Sequence, residues 1–164
     1  MTSARIQSRA GQLVLPEAAV FQAYAVATIS LTTSFVEQAI FTSVSINRGN
    51  HFNSGTGRFT APCPGIYKFG TAMIAGNDND VYRFRFYKNG AYTGNSLRVD
   101  NNATGSEYGT NGQMEIYLEL EAGDYVSVFA KSDAGGDAYG DSTHKYTYFN
   151  GRFTTRLMIR FTTI

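Results

Sequence analysis

Apolar and polar residues alternate with a period of two along most of the chain from Phe21 onward. The alternation is clearest near the C-terminus, where Phe153 and Leu157 fall on one side of the run and Arg152 and Arg156 on the other. A period of two is typical of β-strands that bury one side and expose the other to solvent. We find no run with the 3.6-residue period of an amphipathic helix. The pattern therefore predicts an all-β protein.

Short polar segments separate these runs and predict turns between strands. Asn89-Gly90 is typical of a two-residue β-hairpin of the primed type, in which both central residues need a positive φ. Ala122-Gly123-Asp124 predicts a second hairpin between two apolar runs. Further turns are predicted at Arg48-Gly49-Asn50, Asn111-Gly112 and Asn150-Gly151. Eight to ten short strands joined in this way indicate a β-sandwich or a jelly roll.

The segment Pro62-Cys63-Pro64-Gly65 predicts a sharp corner that leads into a core strand at Ile66. Each proline removes a backbone donor and fixes φ, and we expect Gly65 to adopt a positive φ. Cys63 is interpreted as an inert, partly buried thiol, and no catalytic residue is predicted. Alternation assigns a set of aromatic residues to the core: Tyr67, Phe69, Tyr82, Phe84, Phe86, Phe153 and Phe161.

Composition and charge limit the classes of partner that the protein could bind. The net charge of +1 excludes the basic field that nucleic-acid-binding proteins need. No run approaches the roughly 20 apolar residues of a membrane-spanning helix, so we predict neither a nucleic-acid nor a membrane partner. The N-terminal segment MTSARIQSRAG has no apolar stretch and predicts no secretory signal. We expect a polar arm over residues 1–17 and a single jelly-roll domain over residues 18–164.

Several motifs, in order along the chain, resemble one known family. The segment IFTSVSINRGNHFNSGTGRFTAPCPGIYKF is followed by FYKNG, by LELEAGDYVSVFA and by YFNGRFTTRLM. The chain resembles the globular-head family of the first complement component (subcomponent q), within the tumour-necrosis-factor-like jelly rolls. The resemblance implies a jelly roll of about ten antiparallel strands that assembles as a homotrimer. It also implies that the protein has no enzymatic activity and acts by binding a ligand or by building an assembly.

Tyrosine is abundant, and not all tyrosines can point into one small core. Tyrosine supplies a large contact area together with a polar tip, which suits subunit interfaces. We interpret four tyrosines as candidates for the trimer interface: Tyr24, Tyr117, Tyr125 and Tyr148.

Calcium is the one cofactor that the sequence raises, because aspartates cluster in two loop segments. Asp78 and Asp80 lie in GNDND, and Asp133, Asp137 and Asp141 lie in SDAGGDAYGDS. Carboxylate oxygens are the ligands that calcium prefers. Some members of the resembled family hold calcium in loops near the trimer apex. The alternative interpretation is that these aspartates only form turns.

Three functions remain open on the sequence alone. We expect a standalone bacteriophage version of the family: a capsid decoration or cement protein, made in the host cytoplasm and located on the outer capsid surface of the virion. Its partner would be the major capsid protein or another virion protein. The alternatives are the receptor-binding tip of a phage tail fibre and a secreted ligand-recognition module. Candidate partner-binding residues lie in the arm: Arg5, Ile6, Arg9, Leu13, Val14 and Leu15.

Overall fold

Thirteen β-strands in two antiparallel sheets make up the computed structural model, which describes residues 19–76, 79–102 and 109–155. The seven-stranded sheet contains β1 (Val20–Tyr24), β2 (Ile29–Ser30), β4 (Ser43–Arg48), β7 (Gly65–Ala75), β10 (Asn111–Leu120), β12 (Asp137–Tyr139) and β13 (Tyr148–Thr155). The six-stranded sheet contains β3 (Val36–Glu37), β5 (Phe52–Asn53), β6 (Arg58–Thr60), β8 (Asp80–Lys88), β9 (Ala91–Asn101) and β11 (Tyr125–Ser132). The predicted all-β jelly-roll sandwich is confirmed. The strand number exceeds the expected ten because β2, β3 and β5 have only two residues each, too few to show a period.

Strand β7 organises the seven-stranded sheet. One edge of β7 pairs with β10 along its whole length, and the other edge pairs with β13 and then with β12. Beyond β13 follow β1 and β4. In the second sheet β11 has the equivalent position, with β8 on one edge and β6 and β3 on the other. All pairs are antiparallel. Residues that lie directly opposite each other on neighbouring strands point their side chains to the same face of the sheet.

The core between the two sheets is built mainly from aromatic rings. Phe21 stacks on Phe52 at a centroid distance of 4.6 Å and meets the edge of Phe149 at 4.8 Å. The predicted core members Tyr67, Phe69, Tyr82, Phe84 and Phe86 are all fully buried. Phe153 is only partly buried against this cluster, and Phe161 lies outside the described residues.

The two predicted hairpins have different outcomes. Asn89 and Gly90 have φ angles of 50° and 78°, and Lys88 lies directly opposite Ala91, so the primed hairpin is confirmed. The hairpin at Ala122-Gly123-Asp124 is wrong, because β10 and β11 belong to different sheets. Gly123 does reverse the chain with a φ of 91°. A turn sequence specifies the reversal only; in a jelly roll the next strand can cross to the opposite sheet.

Two glycines predicted as turns lie inside strands instead. Gly151 is in the middle of β13, where an added Cβ would lie 2.5 Å from the Phe69 ring and 2.6 Å from the Phe21 ring. Gly112 is in β10, where a Cβ would lie 2.5 Å from Val99. Both predicted turns are therefore wrong: Gly112 makes room for Val99 of the other sheet, and Gly151 makes room for two rings of its own sheet.

The proline corner enters β7 as expected, but Gly65 does not have the expected positive φ. A Cβ on Gly65 would lie 2.5 Å from the Phe153 ring and 2.6 Å from the carbonyl oxygen of Thr155. Glycine is needed here for close contact with β13. Tyr67 fixes the corner by donating a hydrogen bond of 2.7 Å to the carbonyl of Cys63, whose thiol is half-buried 3.5 Å from the same hydroxyl.

Candidate subunit interface

The outer face of the seven-stranded sheet, which points away from the core, carries three rows of side chains across five strands. Phe21, Phe149 and Phe69 point into the core, so the residues between them point outward. The tyrosine row has Tyr24 directly opposite Tyr148, with Ala72 beyond. Two of the four predicted interface tyrosines are thus brought together by the pairing of β1 with β13.

The cationic row crosses the same five strands at the other end of this face. Its members, taken from β4 to β10, are Arg48, Val20, Arg152, Lys68 and Tyr117. Tyr117 is 63% exposed, the largest fraction among the exposed large hydrophobic side chains of the described residues. The third predicted tyrosine therefore belongs to this face as well.

The middle row is polar at its centre and apolar at one edge. Gln22 and Asn150 lie between Ile46 on β4 and Glu115 on β10. Ile46 is 45% exposed. A sheet face that meets only water normally carries polar residues, so exposed apolar and aromatic side chains here indicate contact with another protein surface.

Charge is distributed unequally across this face. Arg48 and Arg152 lie on the β4 and β13 side, whereas Glu115 and Glu119 lie on β10 at the opposite edge. Lys68 Nζ is 2.8 Å from Glu115 Oε2. One side of the face is therefore basic and the other acidic, which is the pattern that lets one copy pack against the next in a ring.

Two depressions mark this face. One, of about 360 Å³, is lined by Gln22, Ile46, Lys68, Asn150 and Arg152, among others. The second, of about 450 Å³, adjoins Tyr148 and is lined on its other side by His144, Lys145 and Tyr146. Both have polar as well as apolar walls, so a partner that fills them must supply hydrogen bonds.

Four contacts orient the tyrosine row and its surroundings. A hydrogen bond with the Ser43 side chain, together with the Lys145 ammonium, lowers the pKa of Tyr24, although desolvation opposes the shift. The Lys145 Nζ lies 4.7 Å from the Tyr24 ring centroid. His144 stacks on Tyr146 at 5.1 Å, and its Nδ1 lies 3.1 Å from Asp141 Oδ1. The rings that border the second depression are thereby held in place.

The fourth predicted tyrosine does not join the others. Tyr125 begins β11 in the six-stranded sheet, where the Arg58 guanidinium lies 4.3 Å from its ring centroid. Arg58 is also bonded to both carboxylate oxygens of Glu37, at 2.7 and 2.6 Å. Sequence reasoning missed Ile46 and Arg152, although alternation would have identified them as outward-facing once their sheet was known.

The four candidate calcium ligands that the structure describes, Asp80, Asp133, Asp137 and Asp141, are each bonded within the fold. Asp80 is only 4% exposed and accepts hydrogen bonds from the Ser132 hydroxyl and from the amides of Val81, Ala134 and Gly136. Burial raises the pKa of Asp80, but the hydrogen bonds from Ser132 and the three amides outweigh it, so the net shift is downward. Asp80 therefore organises the loop that follows β11.

The other described aspartates are each bonded to different partners. Asp133 pairs with Arg83 at 2.5 Å and Lys131 at 2.7 Å, and these hydrogen bonds lower its pKa to about 2. Asp137 accepts from Ser30 at 2.6 Å, and Asp141 accepts from the amides of residues 143 and 144. Across residues 19–76, 79–102 and 109–155 no three acidic, histidine or cysteine side chains form a metal-binding group. Asp78 lies outside the described residues, and calcium binding stays a prediction.

The family of the chain follows from direct comparison. The model of the C1q domain family matches residues 20–153. The chain belongs to the C1q domain family. Complement C1q tumor necrosis factor-related protein 7 of Mus musculus is 30% identical over 111 residues, which are 66% of this chain and 37% of that protein. Protein 6 of the same name, from Rattus norvegicus, is 30% identical over 113 residues, 68% of this chain and 41% of that protein. The chain thus spans about two fifths of these relatives.

Solved structures share the fold of this chain. The globular domain of zebrafish complement 1qA protein has a TM-score of 0.59 and 17% identity, covering 85% of this chain and 99% of that chain. Eiger TNF from S. frugiperda has a TM-score of 0.61 and 9% identity, covering 89% and 98%. Murine APRIL at pH 5.0 has a TM-score of 0.60 and 12% identity, covering 83% and 98%.

These comparisons correct the expected location. The outer capsid surface of a virion is wrong, because the curated relatives are complement C1q tumor necrosis factor-related proteins and not virion components. They give the expected phage version of the family no support either. The candidate arm residues Arg5, Ile6, Arg9, Leu13, Val14 and Leu15 all lie outside the described residues. In the part of the chain that the structure describes, no helix is long and apolar enough to cross a membrane.

Proposed function

We propose that this chain is a non-enzymatic ligand-recognition module that assembles as a homotrimer through the outer face of its seven-stranded sheet. The observation that carries the proposal is that face itself, with three tyrosines and the exposed Ile46 on strands that otherwise alternate cleanly. Family membership supports a recognition role over capsid decoration, since the relatives include complement C1q tumor necrosis factor-related proteins.

The arrangement of charge on this face fits a closed ring. In cyclic assemblies of three, one patch of each subunit contacts a different patch of the next, so the two patches must complement each other. The acidic β10 edge, with Glu115, Glu119 and Tyr117, complements the basic side, with Arg48 and Arg152. Lys68 sits between the two halves, already paired with Glu115. The six-stranded sheet then faces outward and is free to bind ligand.

The experiment that tests the assembly is a mass measurement by sedimentation equilibrium at micromolar concentration. We expect about three times the 18.0 kDa of one chain. Tyr117→Asp should shift the protein toward monomer, because it puts a carboxylate between Glu115 and Glu119. The matched control is Tyr92→Asp, the same change at an exposed tyrosine of the six-stranded sheet, which should leave the mass unchanged. A stable monomer of the unaltered chain contradicts the proposal.

A further inference from the structure

An arginine on the outer face of the six-stranded sheet is clamped between two aromatic rings. Arg85 lies in β8, and the centre of its guanidinium is 3.8 Å from the ring centroid of Phe35 and 4.5 Å from that of Tyr92. Phe35 comes from the segment before β3 and Tyr92 from β9, so separate parts of the chain form the two walls. This clamp fixes the plane of the guanidinium before any ligand is present.

Arg85 differs from the other cations of this face in having no acidic partner among the described residues. Its neighbours on the same face are all paired: Arg83 and Lys131 with Asp133, Arg98 with Asp100, and Arg58 with Glu37. The Nε of Arg85 is buried and has no hydrogen-bond partner there. A guanidinium carries five donors and accepts no hydrogen bond, so the Nη groups of Arg85, which form no ion pair among the described residues, can donate to an acceptor that a ligand supplies.

The clamp continues into a wider aromatic surface. The Tyr92 ring lies 5.8 Å from that of Tyr87, which stacks on Phe129 at 3.8 Å. We call Phe35, Arg85, Tyr87, Tyr92 and Phe129 the arginine–aromatic cluster. Tyr92 is 42% exposed, so the cluster is open to solvent. Aromatic residues and arginine are the residue types that contribute most to binding at protein–protein interfaces.

We propose that the arginine–aromatic cluster is a docking site for an aspartate or glutamate side chain of a partner protein. The uncompensated charge of Arg85 calls for one anionic group, and a carboxylate matches the planar guanidinium through two parallel hydrogen bonds. The surrounding rings suit the hydrocarbon stem of such a side chain. This inference rests on the proposed recognition function and names its binding surface.

The acids nearest to Arg85 do not compete with a ligand for its guanidinium. Glu37 lies in the same cross-strand row as Arg85, separated from it by Phe129. Asp133 is bonded to Arg83, two residues before Arg85 in β8. Both acids are already bonded to cations, Glu37 to Arg58 and Asp133 to Arg83 and Lys131, so neither needs Arg85 as its partner, and Arg85 stays available for a carboxylate between the rings.

The position of the cluster agrees with the proposed trimer. It lies on the sheet opposite the candidate subunit interface, so assembly through the seven-stranded sheet leaves it accessible. Three copies on one particle would strengthen binding to a surface that carries several acidic side chains, because later contacts form at a high effective concentration.

The test measures binding of the full chain to a sensor surface coated with acetylated tetraglutamate peptide. Tetraglutamine is the neutral control surface, and a heparin fragment represents sulfated ligands. We expect binding to tetraglutamate, none to tetraglutamine, and weakening by added salt. Arg85→Gln should weaken the apparent affinity at least about tenfold, because the charge-assisted hydrogen bonds are lost.

The matched control is Arg98→Gln, the same substitution on the same face at an arginine already paired with Asp100. It should change the affinity less than about twofold. Arg85→Lys keeps the charge but not the planar fork, and should give an intermediate loss. Unfolding curves and the sedimentation mass verify that each variant remains folded and assembled.

Three outcomes overturn the inference: no binding to tetraglutamate, equal effects of Arg85→Gln and Arg98→Gln, or binding to heparin alone. The measured mass separates this inference from the proposed assembly. A monomer that binds tetraglutamate through Arg85 contradicts the trimer and supports the docking site. A trimer that binds no tetraglutamate contradicts the docking site only.

Discussion

Replacement of Asp80 by asparagine tests how a buried carboxylate holds the loop after β11. Oδ2 of Asp80 accepts from the Ser132 hydroxyl and from the Gly136 amide at 3.2 Å, while Oδ1 accepts from Ala134 at 3.0 Å. The Ser132 hydroxyl oxygen itself accepts from the Gly136 amide at 2.6 Å. In Asp80→Asn an NH₂ group replaces one oxygen, so an amide donor must face another donor inside the protein.

The magnitude follows from these bonds. Hydrogen bonds to a charged group contribute about 1.5–3 kcal/mol each, and the substitution removes two of them while relieving the cost of burying the charge. We therefore expect Asp80→Asn to lower the free energy of unfolding by about 2–4 kcal/mol.

Urea unfolding at one fixed protein concentration measures this change, because the stability of an oligomer depends on concentration. The control is Asp100→Asn in the adjacent strand β9, where the carboxylate forms an exposed ion pair with Arg98. Its effect should stay below about 1 kcal/mol. If the two variants lose equal stability, or if Asp80→Asn loses less than about 1 kcal/mol, the structural role assigned to Asp80 is refuted.

Two further predictions concern stability. Gly65→Val should lower the free energy of unfolding, measured in urea, by about 1–3 kcal/mol or more, because a Cβ there meets the Phe153 ring at 2.5 Å. Cys63→Ser should lower it by less than about 1 kcal/mol. Equal losses in the two variants would contradict the close-contact explanation. Asp124 and Asp133 have pKa values of about 2, below the ordinary 3.8, chiefly through hydrogen bonds from Lys88 and Arg83 respectively. The stability that these two carboxylates contribute to the folded state is therefore present above pH 3.8 and is lost as the pH falls toward about 2. Asp133→Asn should make the urea unfolding midpoint depend less on pH across this range.

The alternating pattern was sufficient to predict the fold class and most of the core. Tyr67, Phe69 and Phe84 are buried as their period indicates, because burial of one strand face is a local property of the sequence. The hairpin at Asn89-Gly90 was equally predictable, because a positive φ at two successive residues is a local requirement.

Long-range properties were not predictable in the same way. Gly123 reverses the chain, but nothing near it specifies that β11 crosses to the other sheet. Gly151 resembles a turn residue because the rings of Phe69 and Phe21, which require it, are distant in sequence.

For the candidate sites, too, local features could be predicted from the sequence and long-range ones could not. Tyr24 and Tyr148 could be identified as outward-facing, whereas the separation of Tyr125 from them depends on sheet membership. The clamp around Arg85 joins three separate segments, so no local motif marks it.

The central claim is that the outer face of the seven-stranded sheet is covered by other copies of the chain. Hydroxyl-radical footprinting of the intact protein tests it directly by comparing the oxidation rates of two tyrosines. In a single chain Tyr117 is 63% exposed and Tyr92 is 42% exposed, so an unassembled protein should oxidise Tyr117 faster. We predict the reverse order, with Tyr117 protected and Tyr92 reactive. Faster oxidation of Tyr117 than of Tyr92 at concentrations where the protein is assembled would contradict the account.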